Sequence, residues 1–375
     1  MTKLLLVFAA ALALAYLSEQ NTKTILASGR RYSLWKDGAY LALVVVLTLF
    51  AGLRTSYNDT ANYVRAFQSA PGMAEWLSNP KNYNPFTNPL FYFYQSVIKT
   101  LFGDAQMLIF LSAVITQTCF LRFFKRYSHQ FLFSIFIYFT LGTFAFTLAA
   151  IKQVLGMAVV TLAFPYMEKK KWVPYCLIVL AAMMIHTYAV IFAVLPLFKA
   201  KPWRLVTFLV VAATAIIMTN FEEVITSFME QANDLGKTIA EYEVFDDATV
   251  NIFRLAVYAV PPLISLVFQK WVLYKSTDME NILVHMSIFS LAFMTMGTLA
   301  GANMFGRMGN YFELGIICSL PWMLKKTFDS RSYRFVTAAA CVCFFGFFFY
   351  ANAINIDFGR EYSAITLWKF LVSFF

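Results

Sequence analysis

Apolar segments separated by short charged turns recur through the whole chain, from Lys3 to Phe375. Of its 375 residues 60% are hydrophobic and 13% are charged, whereas a soluble domain carries about a quarter charged residues. Such a chain lacks the polar side chains to cover its own core, so the sequence predicts an all-α polytopic membrane protein. The net charge of +10 comes with no basic arm, and basic cytoplasmic loops explain it better than nucleic acid binding.

The lengths of the apolar runs predict the architecture. A helix needs about 20 apolar residues to cross the hydrocarbon core, and because several runs are shorter we predict roughly 12–14 transmembrane helices in a single domain, 1–375. The predicted spans are 4–17, 39–53, 107–121, 131–149, 153–167, 172–186, 187–198, 205–219, 252–268, 282–300, 308–324, 335–351 and 362–375. The apolar run 88–102 follows a segment rich in Pro and Asn, and predicts a short interfacial helix on the outer face.

Basic turns predict the orientation, because cytoplasmic loops are enriched in Lys and Arg. Six turns hold 19 of the 30 Lys and Arg residues. They are 18–38, 122–130, 168–171, 199–204, 269–280 and 325–334. All six face the cytoplasm only if 88–102 does not cross the membrane and 172–198 crosses twice. The loop segments 54–106 and 220–250 then lie on the outer face.

Five cations lie at or inside the outer ends of the predicted spans, against this charge rule. They are Arg54, Lys152, Arg254, Arg307 and Arg360. Any one of them alone is explained by a side chain that extends to the membrane interface at little cost. Arg binds phosphate oxygens through two hydrogen bonds and Lys supplies a point charge, so five together predict an outer pocket for a phosphate or pyrophosphate group.

Two outer residues are candidates for a general base. His186 lies where two short apolar runs meet, and imidazole suits proton transfer because it titrates near neutral pH. Asp59 follows Arg54 in the chain and is the reserve candidate. Both also have simpler explanations. His186 fits a hydrogen bond within the core, and Asp59 fits a helix cap or an ion pair with Arg54.

The densest polar cluster among the predicted spans is the segment 301–313. On a helix, Asn303, Arg307 and Asn310 share one face, and Tyr311 lies one turn beyond Arg307. Close helix packing around the glycines of this segment is the competing explanation. It leaves the arginine unexplained, so the two Asn side chains and Tyr311 are candidates for contact with a sugar.

Aromatic side chains among four prolines mark the segment 71–94, where Trp76, Tyr83 and Tyr92 stand out. An aromatic belt at the membrane interface accounts for such a composition. Aromatic faces also stack on sugar rings, so these three residues are candidates for a loop that holds a glycan.

The ordered set of these residues resembles the EpsG family of Wzy-like bacterial polysaccharide polymerases. The matching pieces are Ala51-Gly52-Leu53-Arg54, Asp59-Thr60 with Tyr63, Ile151-Lys152-Gln153, His186, and Arg307 with Tyr311-Phe312. The resemblance extends over residues 40–324. Two departures are Lys152, where the family usually has Arg, and Ser56-Tyr57-Asn58, where a Gly usually precedes the acidic pair.

The resemblance implies a membrane glycosyltransferase that joins repeat units of an exopolysaccharide, capsule or O-antigen. It implies transfer of a glycan from undecaprenyl pyrophosphate to the terminal sugar of another lipid-linked glycan, at the periplasmic face of the bacterial cytoplasmic membrane. The expected partners are the lipid-linked donor and acceptor, membrane lipids and a chain-length regulator. His186, Asp59 and Arg307 are then the catalytic candidates. No Cys/His pair and no outer acidic motif suits a metal, so we expect neither a metal nor another cofactor.

Three other classes remain open at this point. A flippase or exporter of lipid-linked glycans also needs cations, but distributed across the membrane and not confined to one side. A ligase of the O-antigen type uses the same donor with a different acceptor. A membrane acyltransferase needs a buried His on the route of an acyl donor, for which His186 is the candidate.

Overall fold

The computed structural model describes residues 1–29, 31–220, 227, 249–299 and 302–372. Up to residue 186, the α-helices are α1 (Thr2–Ala27), α2 (Gly38–Gly52), α3 (Thr60–Ser69), α4 (Met73–Ser78), α5 (Pro89–Phe102), α6 (Ala105–Tyr127), α7 (Phe131–Thr140), α8 (Thr143–Ala149), α9 (Ile151–Thr161), α10 (Phe164–Glu168) and α11 (Trp172–Ile185). The later ones are α12 (Leu205–Thr219), α13 (Ile252–Val267), α14 (Gln269–Val272), α15 (Asp278–Met296), α16 (Ala302–Tyr311), α17 (Glu313–Thr327), α18 (Ser330–Phe349), α19 (Phe358–Glu361) and α20 (Leu367–Val372). The remaining elements are 3-10 helices at Leu34–Lys36, Pro80–Tyr83, Pro85–Thr87 and Thr187–Lys199, a π-helix at Tyr350–Asn355, and strands β1 (Arg54–Ser56) and β2 (Ser363–Ala364).

The prediction of an all-α polytopic membrane protein is confirmed. Four described helices are long and apolar enough to cross a membrane, namely α1, α6, α15 and the continuous helix Ser330–Asn355. A fifth span results if α7 and α8, which meet at an angle of 55°, count as one. Further apolar helices of 10–17 residues are α2, α11, Thr187–Lys199 and α13. Fewer described helices pass this length test than the predicted count of 12–14, because several predicted spans are short or broken.

The bend between α7 and α8 lies at Gly142. This glycine has φ +92°, a left-handed conformation that a side chain would strain, and it ends α7 before α8 begins. A second break follows at Ala150, after which α9 starts at Ile151. The predicted spans 131–149 and 153–167 are therefore chains of short helices, and Lys152 lies in the first turn of one of them.

The predicted final span, 362–375, is wrong for the residues that the structure describes there. Ser363–Ala364 forms strand β2, which pairs antiparallel with β1, Arg54–Ser56. The amide of Ile365 also donates to the carbonyl of Leu53 at 3.0 Å. These backbone hydrogen bonds keep the start of the run extended. Among its described residues, only those of the short helix α20 are helical.

The ambiguous run 172–198 folds back on itself at His186. The residue has extended dihedral angles (φ −149°, ψ 114°) and ends α11. The hydroxyl of Tyr175 on α11 donates to the carbonyl of Phe192 in the following 3-10 helix, so the two segments lie side by side. This geometry agrees with the predicted division of the run into two segments.

Helix α17 lies at the centre of the bundle. Every residue from Glu313 to Leu324 is buried, and the helix packs against α7 and α15. The Ser134 hydroxyl on α7 donates to the carbonyl of Ile317 at 2.8 Å. Helix α16 directly precedes this central helix, so the packing of α17 sets the position of α16 and of its Arg307.

The interfacial helix predicted at 88–102 corresponds to α5. Its Lys99 donates to the backbone carbonyls of Gln68 and Ala70 at the end of α3, the first at 2.8 Å. One face carries the buried residues Phe91 and Ile98. The helix thus packs on its neighbours in the segment 54–106, as a helix at the membrane surface would, and its depth in the bilayer stays a prediction.

The predicted orientation leads to a labelling experiment. In a variant whose native cysteines are replaced by Ser, a Cys at position 80 or 235 is expected to react with a membrane-impermeant thiol reagent added outside. A Cys at 127 or 330 is expected to react only after the membrane is opened. Position 235 lies outside the described residues. Labelling of 235 from the cytoplasmic side alone would mean that 172–198 crosses the membrane once.

Candidate active site at one end of the bundle

Tyr63 on α3 is the residue around which three of the predicted cations gather. The backbone amide of Lys152 donates to its hydroxyl at 3.2 Å. Burial raises the pKa of Tyr63 to about 12, the Asp59 carboxylate adds to the rise, and the positive charges of Arg307 and Arg54 oppose it. One phenol therefore contacts the backbone of Lys152 and is influenced by the charges of Arg54 and Arg307, although these residues come from three separate parts of the chain.

Arg54 is buried, with 1% of its surface exposed. Its guanidinium donates to the carbonyl of Ala51 and, at 3.3 Å, to the hydroxyl of Thr60. Among the residues that the structure describes, no carboxylate pairs with it. A buried cation without a counter-ion is costly, and such residues commonly mark a substrate or ion site. Its charge is thus available to an anion that binds beside Tyr63.

Lys152 adds a second charge at the start of α9. Its ammonium lies 5.6 Å from the ring centre of Tyr92 and 6.0 Å from that of Phe91. The N-terminus of a helix carries a partial positive charge and unpaired backbone amides. No side chain caps α9, because its N-cap residue is Ala150. The helix terminus and the lysine therefore reinforce each other electrostatically.

Gln153 connects α9 to α16. Its side-chain amide donates to the backbone carbonyl of Arg307 at 2.7 Å, and the residue is 2% exposed. The other atom of this amide, Oε1, is buried and accepts no hydrogen bond from the part of the chain that the structure describes. A buried acceptor without a donor is unfavourable, so Oε1 of Gln153 is a candidate for a role at this site.

His186 lies inside the joint between α11 and α16. It is 8% exposed, and its Nδ1 is 2.9 Å from the hydroxyl of Tyr311. The next residue, Thr187, donates its backbone amide to the side chain of Asn88 at 2.9 Å. His186 is thus engaged in a buried hydrogen bond, the simpler of the two roles that the sequence allows.

Asp59 has neither of its simpler roles in this structure. It occupies the N-cap position of α3, but its carboxylate makes no cap hydrogen bond. Arg54 donates to other oxygens, and the contact that Asp59 receives from Asn62 is long, at 3.4 Å. The carboxylate is half-buried, and its negative charge raises the pKa of Tyr63.

The other two predicted cations lie apart from this cluster. Arg254 donates to Asn310 at 2.6 Å and pairs with Glu313 at 3.4 Å, so its charge is compensated. The Arg360 side chain is 88% exposed and lies 3.9 Å from Asp357. Three of the five cations predicted for a single pocket are therefore together around Tyr63, and these two are not.

The predicted sugar-contacting residues are divided by burial. Tyr83 and Tyr92 are exposed, at 53% and 42%. Trp76 is buried against the rings of Tyr83 and Phe93. Asn310 and Tyr311 are buried and already bonded, to Arg254 and His186 respectively, which favours supporting roles for both. The side chain of Asn303 lies outside the described part of the chain.

Three residues of this region were missed as functional candidates. Tyr63 and Gln153 stand within the sequence pieces that resemble the EpsG family, and that was their only signal. Glu313 had a stronger one, because an acidic residue inside an apolar run is by default a functional candidate. It is 1% exposed and accepts hydrogen bonds from Thr143 at 2.6 Å and from Tyr258.

Close backbone packing at Gly156 holds His186 and Tyr311 in place. A Cβ at this position would lie 2.8 Å from the Tyr311 hydroxyl and 3.1 Å from the His186 Cβ. Gly156→Ala is expected to destabilise the protein by about 1–3 kcal/mol, as overpacking does, and to lower its melting temperature in detergent. Gly346→Ala is the control, because nothing lies within 4 Å of its Cβ. Equal melting temperatures for the two variants would show that the contact at Gly156 relaxes freely.

A bundle of apolar helices, several of them long enough to cross a membrane, defines a multi-pass membrane protein. The EpsG family model matches residues 39–365, and the chain belongs to the EpsG family. No curated protein and no solved structure is significantly similar to it. The resemblance seen in the sequence is thereby confirmed.

Proposed function

We propose that this EpsG family protein is a polysaccharide polymerase of the bacterial cytoplasmic membrane, with its site on the periplasmic face. It transfers a glycan from undecaprenyl pyrophosphate to the terminal sugar of a second lipid-linked glycan. The observation that carries the proposal is the group of Arg54, Lys152 and Arg307 around Tyr63, with the uncommitted carboxylate of Asp59 beside it.

The proposed reaction needs an anion site next to a base. A hydroxyl oxygen of the acceptor sugar attacks the anomeric carbon of the donor, the bond from that carbon to the pyrophosphate oxygen breaks, and undecaprenyl pyrophosphate leaves with the electron pair. Arg54, Lys152 and Arg307 stabilise the negative charge that develops on the leaving group, the kind of contribution that is commonly the largest in catalysis. The hydroxyl proton goes to the base.

Two observations favour Asp59 over His186 as that base. The Asp59 carboxylate is half-buried and makes no cap bond or ion pair among the described residues. His186 is buried, with its Nδ1 engaged by Tyr311. We assign proton acceptance to Asp59, and to His186 the positioning of α16 and its Arg307. A buried imidazole that shares a hydrogen bond with the Tyr311 hydroxyl does this well.

The distribution of cations supports a transferase over a flippase. The three that gather around Tyr63 come from the ends of short segments on the predicted outer side, whereas a transport path needs charges along its length. A ligase remains the second candidate, because it uses the same donor and leaving group. The two enzymes differ only in their acceptor. A polymerase joins repeat units to each other, whereas a ligase joins the polymer to a different lipid.

Reconstitution tests the proposal. Purified protein in liposomes is supplied with the lipid-linked repeat unit extracted from cells that lack the protein. A ladder of longer lipid-linked glycans, together with release of undecaprenyl pyrophosphate, is the expected result. Movement of the repeat unit across the bilayer without elongation would identify a flippase instead. Elongation that requires addition of a different lipid acceptor would identify a ligase.

A further inference from the structure

A cavity of about 180 Å³ lies beside the loop that carries Asp59, and Tyr57 and Asn58 of that loop line it. It is bounded by the loop before α3, the bend at Gly142, the start of α13 and the π-helix at the end of α18. The polar side chains that line it are Tyr57, Asn58, Asn251, Arg254, Tyr350, Asn352 and Asn355. None of these except Arg254 has a predicted role.

The lining has the composition of a sugar site. Side-chain amides both donate and accept hydrogen bonds, which matches the donor and acceptor character of a sugar hydroxyl. Asn58, Asn251 and Asn355 are all exposed to solvent. Aromatic and aliphatic side chains cover the remaining wall, and small-molecule sites combine such walls with a few polar groups in the same way.

The charge of the side chains that line the cavity suits a neutral ligand. Among the described residues Arg254 is the only cation that lines it. This guanidinium is compensated by the buried carboxylate of Glu313 and bonded to Asn310. A pyrophosphate group calls for several cations, whereas a single compensated guanidinium lines this cavity among the described residues. Because Glu313 balances its charge, the Arg254 guanidinium can donate hydrogen bonds to hydroxyl groups without favouring an anion.

The π-helix Tyr350–Asn355 shapes the cavity. An insertion of this kind turns side chains away from the regular helix face, and π-helices occur often at functional sites. Asn251 donates to the hydroxyl of Tyr350 at 2.9 Å, which ties the start of α13 to the π-helix. The same Asn251 caps α13 by accepting from the amide of Phe253 at 2.8 Å.

The cavity adjoins the candidate active site through two short connections. Tyr57 and Asn58 immediately precede Asp59 in the chain. Asn310, which holds Arg254, lies one helical turn from Arg307 on α16. A sugar in the cavity would thus lie next to the loop that carries Asp59, the proposed base.

We propose that this cavity binds an uncharged sugar ring at the growing end of the acceptor glycan. The inference rests on the proposed function and adds the acceptor subsite to it. The cavity takes the terminal sugar, and the rest of the glycan lies outside.

The test uses the full-length protein in detergent and a lipid-free probe. The probe is a mixture of oligosaccharides of one to three repeat units, obtained by partial hydrolysis of the polymer that cells carrying the protein make. Asn58→Gly with Asn355→Ala removes two amides, and Gly tolerates the left-handed conformation of Asn58 (φ 45°). Binding is expected to weaken about tenfold, as the loss of two neutral hydrogen bonds predicts. The KM for acceptor should rise with kcat little changed.

Ile354→Ala is the matched control. Ile354 lies in the same π-helix, is 67% exposed and does not line the cavity. It should bind the oligosaccharides as the unaltered protein does. Unchanged binding by the double variant, or an equal loss with Ile354→Ala, overturns the acceptor subsite while the polymerase function stands. Normal polymer in cells that lack the protein instead overturns the proposed function, and the subsite falls with it.

Discussion

Arg307→Ala is expected to abolish polymer formation while the protein remains inserted in the membrane. Arg307 is one of three cations around Tyr63, and its backbone carbonyl is held by Gln153 at 2.7 Å. Loss of one group that stabilises developing negative charge costs about 10²–10³ in kcat. Cells that depend on the variant should accumulate single lipid-linked repeat units, visible after extraction and separation of the lipid-linked glycans.

Two further variants make the result specific for Arg307. Arg307→Lys should also be impaired, because a point charge does not replace two parallel hydrogen bonds to a phosphate group. Arg360→Ala removes a cation that is 88% exposed and lies beside Asp357. This variant should make normal polymer. Polymer of normal amount and length from both Arg307 variants would reduce Arg307 to a packing residue.

Asp59→Asn is expected to slow elongation by about 10²–10⁴, the usual contribution of a general base. The substitution keeps the size of the side chain and removes its capacity to accept a proton, and no cap bond or ion pair is lost with the charge. The measurement is the elongation rate of purified enzyme with saturating donor, compared with donor binding, which should persist.

Asp357→Asn controls for the loss of one acidic charge at the protein surface. Asp357 is 52% exposed and has φ 48°, a conformation that Asn adopts readily. The companion variant His186→Gln keeps a hydrogen-bonding side chain and should retain much of the activity. If His186→Gln is folded but inactive and Asp59→Asn is active, the base is His186 and not Asp59.

Composition and residue order were enough to predict the class of this protein. A chain with 13% charged residues cannot form a hydrated surface, so its helices must face lipid or one another, whatever their packing. The EpsG resemblance likewise needed only the order of a few local pieces, and the family match over residues 39–365 confirmed it. The break at His186 was visible as a junction of two apolar runs.

Element boundaries and the composition of the site depended on contacts between distant parts of the chain. The run 362–375 is as apolar as a span, but hydrogen bonds between β2 and β1 keep its beginning extended. Five outer cations were equivalent in the sequence. Packing separated them, because Glu313 compensates Arg254 whereas no described carboxylate pairs with Arg54. Whether a charge is free or neutralised depends on its neighbours in space, and residue spacing along the chain does not contain that information.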